Sequence, residues 1–352
     1  MRYRADLPAD PAIRRILIIK WSAMGDVIIA TALFEDIVRA FPNREIHLDT
    51  QPAWQPLFAH DPRFQRILTV DWHDRRRRLR QMGAWLRQVR AGNYDLVIDL
   101  QCNDRSRLLL SLLWLSGHPI RHRLGNRRFV PYNIAPVELP QPAHTITRTR
   151  AALQAGGIPA TTLRPVLYIS ERNRTRAQAL MDQHGLAPGH YAIFLPGCNP
   201  NGHLKRWGAN RYAALANLLH REGLARIVLI GGPDEVDECR RIAQQCGPWL
   251  VNLCGQTEIL DIPPLCEPAR FIVANDTGTA HLAAATPTPM TVLCGPTDPR
   301  RVKPLGDNVT TLQADLPCIN CYRKTCSHHS CMAMLTPARV LLQLRETAQE
   351  KA

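Results

Sequence analysis

The chain has 352 residues, 45% hydrophobic and 21% charged, enough to bury one large core or two ordinary ones; at roughly 150 residues per domain, two is the first expectation. Its formal charge of +14 is uneven, with 25 basic against 14 acidic residues up to Arg164 and 19 against 16 afterwards, so nucleic acid, anionic lipid headgroups and phosphorylated glycolipids are all admissible partners. The apolar stretch LLLSLLWL (108–115) falls far short of the ~20 residues that cross a bilayer, and charges and prolines follow Met1 where a secretory signal would be apolar, so no transmembrane helix and a cytoplasmic location are expected.

Short apolar runs alternate with helical patterns along the chain. RILIIK (15–20), EIHLDT (45–50), QRILTV (65–70) and YDLVIDL (94–100) form one set of predicted strands; YAIFLPG (191–197), RIVLIGG (226–232), FIVAND (271–276) and PMTVLCG (289–295) form another. This alternation is the βαβ signature of parallel sheet, and eight strands divided by the polar stretch 170–189 predict two Rossmann-like α/β domains. The expected boundaries are 1–170, a linker region at 171–189, a second domain at 190–336, and an amphipathic terminal helix from Pro337 at 337–352. The segment 108–115 reads as a buried helix. Ligands of open α/β sheets bind at the carboxyl ends of the strands, so a crevice shared by the two domains is the expected site.

After the first predicted strand comes WSAMGD. Gly25 permits a tight turn there, and Asp26 opens a helix, either as its N-cap or as a general base needing to reach one hydroxyl proton. The G-x-G-x-x-G of a dinucleotide site is absent. In the second half, Gly197 opens a loop carrying Lys205 and Arg206, a cationic pair suited to an anionic leaving group. Gly231 and Gly232 precede Asp234, Glu235, Asp237 and Glu238; a carboxylate there could accept from ribose hydroxyls or simply favour the helix dipole. In NDTGTAH, Asn275 and Asp276 end a strand, and Thr277, Gly278 and Thr279 offer backbone N–H groups and hydroxyls to a phosphate, with His281 on the following helix. The aspartic-protease reading of DTG is rejected because those enzymes are built on β-sheet.

Eleven cysteines are too few for a disulfide scaffold of this size. Seven (Cys102, Cys198, Cys239, Cys246, Cys254, Cys266, Cys294) read as small hydrophobes of the core. The others, Cys318, Cys321, Cys326 and Cys331 with His328 and His329 between them, have a spacing that suits a structural zinc, free thiols or redox-sensitive pairs.

Together ILIIKWSAMGD, DLQCNDRSRLL, the LPG…KRW loop, LIGGPDE, NDTGTAHLAAA and CGPTDP resemble the heptosyltransferase-like inverting glycosyltransferases, in the expected order from about Arg14 to Leu344. The resemblance implies a GT-B fold, with the acceptor on the N-terminal domain, the nucleotide sugar on the C-terminal one, and transfer of heptose from ADP-heptose onto lipopolysaccharide core. It implies Asp26 as catalytic base, Lys205 as the diphosphate lysine, Glu235 as a ribose contact, and Asp276, Thr277 and Gly278 as a nucleotide-sugar motif. Where relatives carry hydroxyl residues near the phosphates this chain has Asn199 to His203, and Asn201 is the substitute. No metal or other cofactor is then required for the chemistry.

An inner core of the Kdo–lipid A type carries carboxylates and phosphates, so Gly25, Arg63, Arg105 and Arg107 are expected at the acceptor, with Arg66 guiding it. The run Arg75 to Arg78 could guide or hold the acceptor as well, or be a solvated surface with some attraction to anionic membrane. A different sugar or acceptor on the same mechanism is one competing reading. Another is a noncatalytic polyanion-binding protein on a degenerate fold, but aromatic content of only 6%, without stacking or groove-reading motifs, argues against nucleic acid.

Overall fold

The computed structural model describes residues 5–72, 76–138, 144–198 and 200–349. The chain divides into two compact units: the first runs to Thr162 and takes back Val166–Tyr168, and the second holds Leu163–Pro165 and everything from Ile169.

Unit 1 is built from β1 (Arg15–Ile19), α1 (Met24–Ala40), β2 (Glu45–Thr50), β3 (Arg66–Thr69), α2 (Arg78–Ala91), β4 (Leu96–Asp99), α3 (Asp104–Leu115), β5 (His122–Leu124) and α4 (Thr145–Ala155). Its strands form one parallel sheet in the order β3-β2-β1-β4-β5. Leu17, Ile19, Trp85, Val97 and Leu110 are buried on one side of it. The order reverses between β1 and β4, and such a reversal splays the loops after the two strands apart to leave room for a ligand. Those loops lead into α1, with Gly25 and Asp26, and into α3, with Arg105 and Arg107.

Unit 2 contains α5 (Glu171–His184), β6 (Tyr191–Leu195), α6 (Ala209–Arg221), β7 (Arg226–Leu229), α7 (Val236–Ala243), β8 (Leu250–Asn252), α8 (Ile262–Cys266), β9 (Phe271–Asn275), α9 (Gly278–Ala283), β10 (Met290–Cys294), α10 (Pro299–Val302), β11 (Val309–Gln313), α11 (Ser330–Ala333) and α12 (Pro337–Gln349). Its parallel sheet runs β11-β10-β9-β6-β7-β8, which is the doubly wound Rossmann order, with the reversal between β6 and β9. Both sheets are thus of the expected parallel α/β type. Among the described residues no helix is long and apolar enough to cross a membrane.

Two expectations change. The stretch 171–189 is not a linker: α5 starts on Ser170, whose hydroxyl accepts the Asn173 N–H, and ends on Gly185 at φ +60°. Asn173 and Arg176 then donate to the buried Asp261 at 2.8 and 3.1 Å, fastening the helix to unit 2. The terminal helix α12 packs on α6 and on β11, so it belongs to the same unit.

Arg63 is the second correction. Instead of facing an acceptor it is 4% exposed. Its guanidinium donates to Asp61 at 2.6 and 2.9 Å, to the Thr31 carbonyl at 3.1 Å and to the Val166 carbonyl at 3.0 Å, and it stacks over Tyr168 at 4.8 Å. Its donors are committed to closing unit 1 around its returning segment.

Removing one member of a buried, hydrogen-bonded charge pair strands the other, at about 3–5 kcal/mol. Arg63→Ala is therefore expected to lower unfolding free energy by about that much in urea; unchanged stability with a raised acceptor KM would restore the binding role. A second buried carboxyl makes stability pH-dependent. Burial pushes Asp49 up to about 7, although its carboxylate accepts the Trp85 indole N–H at 2.6 Å. A raised carboxyl pKa means that the folded chain holds a proton the unfolded chain has lost, so this contribution is complete below the ordinary carboxylate value and disappears as pH rises to about 7. Asp49→Asn, whose amide oxygen can still accept from Trp85, should remove a decline of about 1.4 kcal/mol per pH unit across that window, read from unfolding curves at a series of pH values.

Candidate active site

In unit 1 the carboxyl end of β1 leads through Lys20–Ala23 into α1. The helix begins at Met24 with Ala23 as its N-cap, so Gly25 is a first-turn helical residue and not a tight turn. Asp26 occupies the third helical position instead of the cap, and its half-buried carboxylate accepts the Ala23 N–H at 3.2 Å. A carboxylate in a first turn suits the helix dipole, and this bond fixes its direction while one oxygen stays uncommitted. Beside it lies a cation that sequence reasoning missed. Lys20, 6% exposed, places Nζ 3.5 Å from the Leu100 carbonyl; burial lowers its pKa, and the charges of Asp26, Cys102 and Asp99 oppose that shift. The available signal was a lysine closing an otherwise apolar strand.

At the other side of the reversal, Asp99 ends β4, and its carboxylate accepts the N–H groups of Gln101 and Cys102 at 2.9 and 2.8 Å and the Tyr132 hydroxyl at 2.6 Å. Gln101 in turn accepts from the Trp21 and Ser22 N–H groups at 3.0 and 3.1 Å, tying the two loops together. Arg105 lies over the Trp72 ring at 5.3 Å, with its pKa lowered by partial burial and by Arg78. Arg107 pairs with the exposed Asp104. Arg66 and Arg76–Arg78 are exposed, and Arg75 lies outside the described residues.

In unit 2 the loops after β6, β9 and β10 converge on one carboxylate. Asp276, 5% exposed, accepts the Lys205 ammonium at 2.7 Å and the Thr297 hydroxyl at 2.8 Å. Asn275 anchors the same loops: its amide donates to the Pro196 carbonyl at 2.5 Å, and its oxygen accepts from the Trp207 N–H and the Tyr212 hydroxyl at 3.3 and 3.1 Å. Arg206 is committed to this scaffold, donating to the buried Glu238 at 3.0 Å and to the Cys198 carbonyl at 2.9 Å. Lys205, by contrast, keeps 29% of its side chain exposed.

Glu235 folds back over Gly197. A Cβ on Gly197 would lie 2.4 Å from the Glu235 side chain, so only glycine admits this approach. The Glu235 carboxylate accepts the Gly232 N–H, which closes the turn Pro233–Glu235. Both the capping and the binding readings of this residue therefore concern one carboxylate with an oxygen to spare. Thr277 is the N-cap of α9, and Thr277, Gly278 and Thr279 are half-buried beside Asp276, with the first-turn N–H groups of α9 lacking intrahelical acceptors. His281 is buried within α9. The backbone of Asn201 lies in the turn Pro200–Lys205, but its side chain is outside the described residues, as is Asn199.

Of the four C-terminal cysteines, Cys331 is half-buried, and burial followed by the charges of Cys321 and Cys326 raises its pKa. Cys318 and Cys321 are exposed, the Cys326 sulfur accepts the His329 N–H at 3.3 Å, and among the described residues no group of three or more His, Cys, Asp or Glu side chains could hold a metal ion. The segment also buttresses the lysine loop, because the His329 ring nitrogen lies 2.7 Å from the Leu204 carbonyl. Of the seven scattered cysteines, Cys198, Cys239, Cys266 and Cys294 are buried and the other three half-buried.

Residues 82–332 match the model of glycosyltransferase family 9 (heptosyltransferase). The chain is 28% identical to lipopolysaccharide heptosyltransferase 1 of Pseudomonas aeruginosa, over 94% of this chain and 97% of that protein. Its fold matches the crystal structure of a family 9 glycosyl transferase from Veillonella parvula with a TM-score of 0.81 and 20% identity, covering 99% of each chain. It also matches the ADP-heptose lipopolysaccharide heptosyltransferase II of Escherichia coli with a TM-score of 0.73 and 24% identity, covering 96% of this chain and all of that one. The family match spans well over half of the sequence and the two sheets carry the corresponding fold: this chain belongs to glycosyltransferase family 9, the heptosyltransferases.

Proposed function

We propose that this glycosyltransferase moves a heptose from ADP-heptose to a hydroxyl of the lipopolysaccharide inner core in one inverting displacement. The acceptor oxygen forms its bond to the anomeric carbon as the bond to the diphosphate oxygen breaks. ADP departs with the electron pair, and Asp26 takes the acceptor proton. Lys205 stabilises the developing diphosphate charge, assisted by the N–H groups around Thr277–Thr279, and Glu235 accepts from the ribose hydroxyls. Positive charge at the leaving group then comes from the protein itself, so the reading routes no step through a metal. Arg105 and Arg107 meet the anionic acceptor, which places the enzyme at the cytoplasmic face of the inner membrane.

The observation that carries this reading is the Lys205–Asp276 pair at 2.7 Å, at the strand-order reversal of unit 2, with Glu235 folded over Gly197 beside it. A lysine held by a buried carboxylate but still partly exposed is a fixed positive point, which is what a departing diphosphate requires. Asp26 stands at the corresponding reversal of unit 1, fixed by a backbone N–H and retaining an accepting oxygen.

Asp26→Asn keeps the shape and removes the proton acceptor, so kcat should fall by about 10²–10⁴-fold while the donor Kd changes little. Lys205→Ala should lower kcat by about 100-fold or more. Steady-state kinetics with ADP-heptose, paired with calorimetric titration of the donor, separates these effects. Full turnover by Asp26→Asn would remove that residue from the chemistry.

A further inference from the structure

The apolar run 108–115, expected to be buried, is amphipathic in an unusual sense. α3 buries Leu109, Leu110 and Leu113, yet Leu108, Trp114 and Leu115 are 52%, 46% and 72% exposed. Opposite the start of this helix, Phe129 and Val130 are 68% and 41% exposed. Helix and loop enclose a groove of about 530 Å³ whose walls include Arg107, Leu108, Ser111, Arg127, Phe129 and Val130, with the Asp104 carboxylate at its rim taken up by Arg107. Large apolar side chains clustered on one surface mark an interaction site.

We infer that this face of unit 1 docks on an anionic lipid bilayer. An apolar surface alone would suit a protein partner equally well; the charge decides. Arg107 and Arg127 line the groove against one carboxylate, Asp104, which leaves it net positive, and the chain up to Arg164 carries 25 basic against 14 acidic residues. Arginines set among exposed Trp, Phe and Leu form the pattern of an interfacial anchor, whose affinity adds apolar burial to attraction for anionic lipid. No described helix can span a membrane, so the contact is a surface one.

The position of the face also fits. α3 starts at the strand-order reversal, carries Arg105 in its first turn and runs 12 residues, about 18 Å, to Leu115. A glycolipid acceptor presents its sugars above the bilayer plane, and a lipid-seeking surface that begins beside the sugar-handling edge and extends away from it would hold the enzyme at that height. This inference deepens the proposed transferase reading and rests on it for its biological sense.

The test is flotation of the full chain with phosphatidylcholine vesicles, with and without phosphatidylglycerol, in the absence of donor and acceptor. Wild type should float with the anionic vesicles only, and less as salt is raised. Arg127→Ala should weaken that binding about fivefold, and Leu115→Ser combined with Phe129→Ser should weaken it further. Thermal melts confirm that each variant is folded, and each should retain kcat on a soluble, deacylated acceptor. Equal affinity for both vesicle types, or folded variants that float like wild type, would overturn the assignment. So would a concentration-dependent dimer abolished by Leu115→Ser with no flotation, which would give the face to a second copy. Flotation without heptosyl transfer would sink the proposed reaction and leave this surface standing; transfer without flotation would do the reverse.

Discussion

Much of the candidate site in unit 2 depends on one buried carboxylate. Asp276 can be 5% exposed because the Lys205 ammonium and the Thr297 hydroxyl, from loops after two other strands, share one of its oxygens at 2.7 and 2.8 Å. An isolated buried carboxylate is costly, so these partners satisfy Asp276 and are held by it in turn. The result is a lysine whose ammonium is held by one carboxylate oxygen while 29% of its side chain stays exposed. Asn275, one residue earlier, does the same for the backbone, receiving Trp207 and Tyr212 and donating to Pro196. Two consecutive polar residues at the end of β9 thereby organise three loops, an arrangement that provides a fixed positive point without relying on an ordered ligand.

A second regularity links the units. Asp26 and Glu235 each follow a strand by a few residues, each lies in the first helical turn, and each reaches back to a backbone N–H three residues earlier. A capping bond of this kind orients a carboxylate using one of its oxygens. The other oxygen remains an acceptor, of a proton in the proposed role of Asp26 and of ribose hydroxyls in that of Glu235. Capping and chemistry are compatible because an ionised carboxylate has acceptor sites enough for both.

Much of this was legible from residue order. The eight apolar runs mark strands, and the motif residues cluster after them because parallel sheets gather their loops at one edge. β5, β8 and β11 were not legible: all three are edge strands, two of only three residues and the third polar at its middle positions. α5 read as a linker because it buries only Asn173 and Ala177, leaving almost no apolar period to detect. Arg63 and Arg206 looked like ligand contacts because sequence shows charge but not the carboxylates and carbonyls that consume it. The C-terminal cysteines left zinc, free thiols and redox-sensitive pairs open, because spacing along the chain does not state whether side chains meet at one point. The exposed face of α3 was hidden for a related reason, since an apolar run does not state which of its side chains the core will take.

The central claim is that the lysine loop of unit 2 grips the diphosphate of ADP-heptose while its sugar is transferred. The most direct measurement is nucleotide release in a donor screen, in which ADP-heptose and UDP- and GDP-sugars are each offered with defined lipopolysaccharide precursors. The account predicts ADP release with ADP-heptose, dependent on the acceptor and yielding a heptosylated product. Equal or faster release of UDP or GDP, or no turnover of ADP-heptose with any precursor, would contradict it.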